Sequence, residues 1–118
     1  MISITKTDRY ISLRPDVTVD LSSASNYQDF VDSCKEKIAT FKKVNLIIDF
    51  SEVDSIDLDK ILLLSPISDA HKTTNASFVV VCEQIDFNAV PDTMVIAPTF
   101  QEAEDIIEME DIERDLGI

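Results

Sequence analysis

The side chains of this 118-residue chain that are equipped for chemistry gather in one stretch, Asn45 to Leu64, which reads NLIIDFSEVDSIDLDKILLL. Asp57 and Asp59 form an Asp-x-Asp pair, Lys60 follows directly, and Ser51, Ser55 and Ser65 bring hydroxyls nearby. An Asp-x-Asp pair can serve a phosphatase or hold Mg²⁺, and a serine hydroxyl can accept a phosphoryl group. Spacing argues against catalysis. The apolar run Leu46-Ile47-Ile48 closes at Asp49, eight residues before Asp57, and no downstream Lys/Asp pair accompanies it. The plain alternative is that Asp57 is a helix N-cap, accepting from an unpaired backbone N–H, with Asp59 in the first turn, where the helix dipole favours acid.

Several chemistries are excluded by what is missing. The only glycine is Gly117, so no P-loop, dinucleotide fingerprint or nucleophile elbow can be built, since each needs glycine where a side chain would clash. The single histidine, His71, excludes HExxH and multi-histidine zinc sites; it reads as a surface residue at a helix end. Cys34 and Cys82 form no CxxC and read as reduced core thiols of a cytoplasmic protein. No cofactor or metal is expected. A net charge of −13, from 23 acids and 10 bases, opposes nucleic acid and anionic membrane, which reward lysine and arginine. It fits basic protein partners, or simple solvation. No apolar run approaches the roughly 18 residues of a membrane helix, and MISITKTDRY lacks a signal-peptide profile.

The elements around the stretch follow from periodicity. Ile2–Ile4 and Tyr10–Leu13 read as strands joined by a turn at Asp8-Arg9, and Val17, Val19 and Leu21 alternate as a third. Ser25 and Gln28 form a capping-box pair before a helix with Tyr27, Phe30, Val31, Cys34, Ile38 and Phe41 on one stripe, ended by Lys42-Lys43. Leu46–Phe50 is a strand buried on both faces. The helix after Asp57 should be kinked or shortened at Pro66, with Ile67 to His71 still helical beyond it. Ala76–Cys82 and Thr93–Ala97 are the last strands, Glu83–Pro91 is irregular, and Thr99 with Glu102 caps a final helix whose Phe100, Ala103 and Ile107 face inward. Strands alternating with helices mean one α/β domain on a mixed sheet of four to five strands.

From Ile48 to Asp59, IDFSEVDSIDLD, the chain resembles a STAS domain, the fold of anti-sigma-factor antagonists. That family has a buried strand ending in Asp-Leu-Ser, a short link, then Asp-Ser-Ser-Gly-Leu at its second helix. The order of elements is similar from Ile2 to about Ile107, as are Pro98–Ala103 and the ending Met109–Leu116. The resemblance implies a non-enzymatic bacterial signalling domain that binds a protein, often an anti-sigma-factor kinase, through Asp57, Leu58, Asp59 and Lys60. The partner phosphorylates a serine at the helix start. Here that position is Asp59, and the glycine after it is Lys60, so the classical switch is absent. Either Asp59 holds a permanent phosphate-like charge, or regulation moved to Ser51, Ser55 or Ser65. Asp49 at a strand end is also similar to a receiver domain's phosphoacceptor, but a receiver needs a lysine after its last strand, and the final lysine, Lys72, precedes Thr93.

Residues 1–107 thus read as the domain and 108–118 as an acidic amphipathic tail. In the tail Ile106, Met109, Ile112 and Leu116 recur at helical spacing against Glu108, Asp111 and Asp115. Exposed, this stripe would dock into a partner; buried, it would pack on its own sheet or pair in a homodimer rather than leave a monomer. The alternative function is a constitutive assembly subunit that dimerises or docks through this helix.

Overall fold

The computed structural model describes residues 2–16, 20–41, 43–53, 56–83 and 85–117, the side chain of Phe87 excepted. Five strands, β1 (Ile2–Lys6), β2 (Ile11–Pro15), β3 (Leu46–Asp49), β4 (Phe78–Val81) and β5 (Val95–Ala97), form one sheet in chain order. β1 runs antiparallel to β2, and β2 to β5 are parallel. The fold is α/β with a mixed sheet. Thr7 Oγ1 accepts from the backbone N–H groups of Arg9 and Tyr10, turning the chain at Asp8-Arg9 between the first two strands.

Because side chains alternate across a strand, the central strands divide their residues between two layers. Leu46, Ile48, Phe78 and Val80 join Ile11 and Leu13 on one face, under α1 (Ala24–Ile38), α2 (Leu58–Leu62) and α3 (Ser65–Lys72). Ile47, Val79 and Val81 lie on the other with Tyr10 and Ala97, under α4 (Phe100–Leu116). β3 and β4 are buried at every residue, as their unbroken apolar runs require.

α1 buries Tyr27, Phe30, Val31, Cys34 and Ile38; Phe41 lies just beyond its end, partly buried against the same core. The cap lies two residues before the expected one. Asp20 accepts from the backbone and hydroxyl of Ser22, and the turn it closes leaves Ser23 extended, so Ser23 Oγ, not Ser25, accepts from Asn26 N–H. Val17 and Val19 of the expected third strand lie outside the described residues, as does Lys42; Leu21 is a buried turn residue. Lysines of the last turn are Lys35 and Lys37, and Lys43 turns away with φ of 65°.

Pro66 does not sit within a longer helix. α2 stops at Leu62 and α3 restarts at Ser65, which puts Pro66 in a first turn, where its missing N–H costs nothing. His71 is a correction to the surface reading. It is buried, packs on the Phe78 ring, and its Nε2 lies 2.6 Å from the Val44 carbonyl. The link from β4 to β5 holds one 3-10 turn, Phe87–Ala89, capped by Asp86. α4 is one unbroken helix across residues 107 and 108, capped by Thr99, which accepts from Glu102 N–H. It ends on Gly117 at φ 72°, a left-handed cap only glycine adopts without strain.

Candidate functional site

At the carboxyl ends of β3 and β4 the backbone leaves the sheet and must find new partners. Asp49 is buried, and its Oδ1 accepts from Ser51 N–H at 2.9 Å, which turns the chain out of β3. Phe50 packs edge-on to Phe30 and beside Tyr27. Between these turns lies a cleft of about 420 Å³ lined by Phe50, Ser51, Glu52, Val53, Ile56, Cys82 and Glu83. Glu52 is engaged by Arg14 at 3.4 Å in an exposed pair, worth little in stability.

α2 begins beside this cleft. Asp57 is extended, and its Oδ1 accepts from Lys60 N–H at 3.0 Å, the N-cap geometry anticipated from its type. Asp57 and Asp59 are exposed; Leu58 and Lys60 are half-buried. The Lys60 carbonyl accepts from the Tyr27 hydroxyl at 2.5 Å, tying α2 to α1. Burial pushes the Tyr27 phenol far above its ordinary range, so the donor stays protonated. Lys60 also faces the loop before α1. Hydrogen bonds from Ser22 hold the Asp20 carboxyl below its usual value, with a smaller contribution from the Lys60 charge. Leu63, four residues after Asp59 and so on the same side of the turn, is 52% exposed.

The structure therefore gathers Asp57, Leu58, Asp59 and Lys60 into one corner with Leu63 and Asp20. Ser51 is exposed at the cleft mouth, whereas Ser65 opens α3, half-buried; Ser55 lies outside the described residues. Asp20, Tyr27 and Leu63 are additions. Tyr27 could have been anticipated from its chemistry, since a core tyrosine must find an acceptor for its hydroxyl. Asp20 could not, because only the fold brings it to Lys60.

No family model matches the chain, and a search of curated proteins finds no match. Among the described residues no three His, Cys, Asp or Glu side chains are grouped to hold a metal ion, and no helix is long and apolar enough to cross a membrane. Burial pushes the Cys34 thiol up to about 12, and burial with the Glu104 hydrogen bond pushes Tyr10 up to about 12. What the corner offers is two exposed carboxylates, one of them held as a helix cap, and a half-buried lysine beside an exposed leucine.

The second candidate, the Ile106–Leu116 stripe, lies on the opposite layer. Ile106 is half-buried against Ile107 and its neighbours, whereas Met109, Ile112 and Leu116 are 62%, 53% and 67% exposed. The inner side of this half of α4 is polar. Arg114 Nη2 donates to Asp111 at 2.6 Å, Ser77 Oγ at 3.0 Å and Asn45 Oδ1 at 3.1 Å. Asn45 Nδ2 donates to the Arg9 carbonyl and to Asp111, while Asn45 Oδ1 also accepts from Ser77 N–H. Ser77 Oγ in turn donates to Glu110. Asp111, on the polar face opposite the apolar stripe, is thus turned inward.

Proposed function

We propose that this chain is a non-enzymatic protein-interaction module of bacterial signalling, a cytoplasmic STAS-like domain of the anti-sigma-factor-antagonist kind. Its contact surface is Asp57, Leu58, Asp59 and Lys60. The observation that carries the reading is the placement of Asp59: an exposed carboxylate in the first turn after a buried strand and a short link, where the family it resembles carries its phosphorylated serine. Leu63 beside it supplies the apolar contact. A lone exposed leucine is ordinary, but one flanked by fixed charges on a pinned turn gives a partner both an anchor and an orientation. Asp59 carries one negative charge against the roughly −1.5 to −2 of a phosphate, and no phosphatase can remove it. The domain then works without a serine switch, in one standing state, on a partner such as an anti-sigma-factor kinase.

The test is a pull-down from native lysate with wild type and Asp59→Ser side by side, followed by mass spectrometry of the bait. A kinase-like partner retained by one form more than the other, with phosphate appearing on the serine variant, is expected. Identical partner sets and an unmodified serine would reduce Asp59 to a surface charge and end the proposal.

The exposure of Met109, Ile112 and Leu116 favours one alternative, a constitutive assembly subunit that docks through α4. A dimer that persists on dilution and dissociates in Ile112→Ser would support it; a wild-type monomer at all concentrations would exclude dimerisation.

A further inference from the structure

We infer that the outer face of α4 is a docking surface for a basic amphipathic helix of another protein. This surface lies on the opposite layer from the Asp57–Lys60 corner and does not depend on it. At 3.6 residues per turn, Met109, Ile112 and Leu116 project roughly 180° away from Ile107 and Arg114. The inner side cannot rotate to bury them, because Arg114 is held by Asp111, Asn45 and Ser77, and Glu110 by Ser77. The network therefore fixes an apolar row facing solvent, in register over the last two to three turns of the helix.

The rim of the row names its occupant. Glu102 and Glu113 border one side, Glu108 and Asp115 the other, and Asp105 continues the line toward the N-terminus; all five are exposed. The helix holds eight acids and one base, and that base, Arg114, is spent inward. Arg9 reaches Glu108 at 3.6 Å, but as an exposed pair. A second copy of α4 would bring equal acid rims together around a narrow apolar seam, and like charges in that position repel. A helix with apolar anchors at i, i+3 and i+7, flanked by lysine or arginine, matches both the row and its rims.

The probe is a lysine/leucine amphipathic peptide of about 15 residues, a length at which isolated helices begin to form, with a glutamate-for-lysine counterpart as control. Fluorescence anisotropy with the full chain should show binding of the lysine peptide alone. Affinity should fall about tenfold or more for Met109→Ser/Ile112→Ser, and also on raising salt from about 0.05 to 0.5 M, where the Debye length shrinks to a few ångströms. Both substituted residues are exposed, and unchanged circular dichroism would show the fold intact. Undiminished binding to the double variant would mean bare charge attraction and overturn the inference. So would absence of binding, or loss of binding only on Ala70→Glu, which would place the peptide in the apolar groove of about 360 Å³ between α1 and α3. A wild-type dimer by sedimentation that excludes the peptide would also overturn it, by assigning the stripe to a second copy.

Discussion

On one face of the sheet, Leu46, Ile48, Phe78 and Val80 meet three helices mainly through the buried apolar Phe30, Val31, Cys34, Ile61 and Ile67, with His71 the polar exception on Phe78. On the other, Ile47, Val79 and Val81 meet Ala103 and Ile107, and the apolar contact then gives way to Asn45, Ser77, Glu110, Asp111 and Arg114. The first contact scales with area, at roughly 25 cal/mol per Å², and is indifferent to small rotations of a helix. The second depends on geometry, because removing one member of a polar network leaves its partners unpaired. Bulk burial holds α1 in place; directed hydrogen bonds decide which side of α4 the solvent sees.

The contrast can be broken by substitution. Phe30 is fully buried between Tyr27 and Phe50, and Phe30→Ala should cost about 3–5 kcal/mol in denaturant unfolding. Ile107→Ala, under the thinner layer, should fall near the lower end of about 2–5 kcal/mol; equal losses would erase the asymmetry. Asn45→Ala removes the acceptor of Ser77 N–H and the donor to Asp111, an expected loss of about 1–3 kcal/mol. Hydrogen exchange should quicken in residues 108–116 while α1 stays protected. Asp57→Ala removes one cap from a helix of five residues and should cost about 0.5–2 kcal/mol, measured by the same unfolding.

Acid sharpens the comparison without mutation. Burial alone would raise the Asp111 carboxyl, but hydrogen bonds from Arg114 and Asn45, with the Arg114 charge, outweigh it and lower its pKa. A depressed folded value contributes stability above the unfolded value of about 3.9, and that contribution is lost as pH falls through the folded one. Titration below about pH 4 should therefore loosen the end of α4 before the α1 face, read by residue-resolved hydrogen exchange. Uniform loosening would show that the network is not the weak seam. The smallest effect belongs to Met109→Ser/Ile112→Ser, which should leave unfolding within about 0.5 kcal/mol, because those side chains contact little of their own fold.

The legible parts of the fold were those set by local rules. Apolar runs marked β3 and β4, and Asp57 and Thr99 were recognisable caps because a short acceptor before an apolar helix does one local job. Ser25 misled for the same reason: the turn closed by Asp20 lies outside any capping pattern, and it moves the start to Ser23. His71 was illegible because its partner, the Val44 carbonyl, is 27 residues away in sequence. The Asp57–Lys60 run is continuous in sequence and Leu63 follows Asp59 at helical spacing, but Asp20 joins the corner only through tertiary packing. Periodicity also found the Ile106–Leu116 row without telling which side it faced, since that depends on Asn45 and Ser77 in distant segments.

Sheet order is chain order, from β1 to β5. Each strand adds to the edge its predecessor has just left, so pairing during synthesis can proceed in the order of translation, without threading one connection past another. The layer under α1, α2 and α3 can close once β4 is placed. The opposite surface, with Ile47, Val79 and Val81, stays bare until the last helix arrives from the end of β5 and folds over it. Among the described elements a single helix closes this layer, and Arg114 is the bolt that holds it.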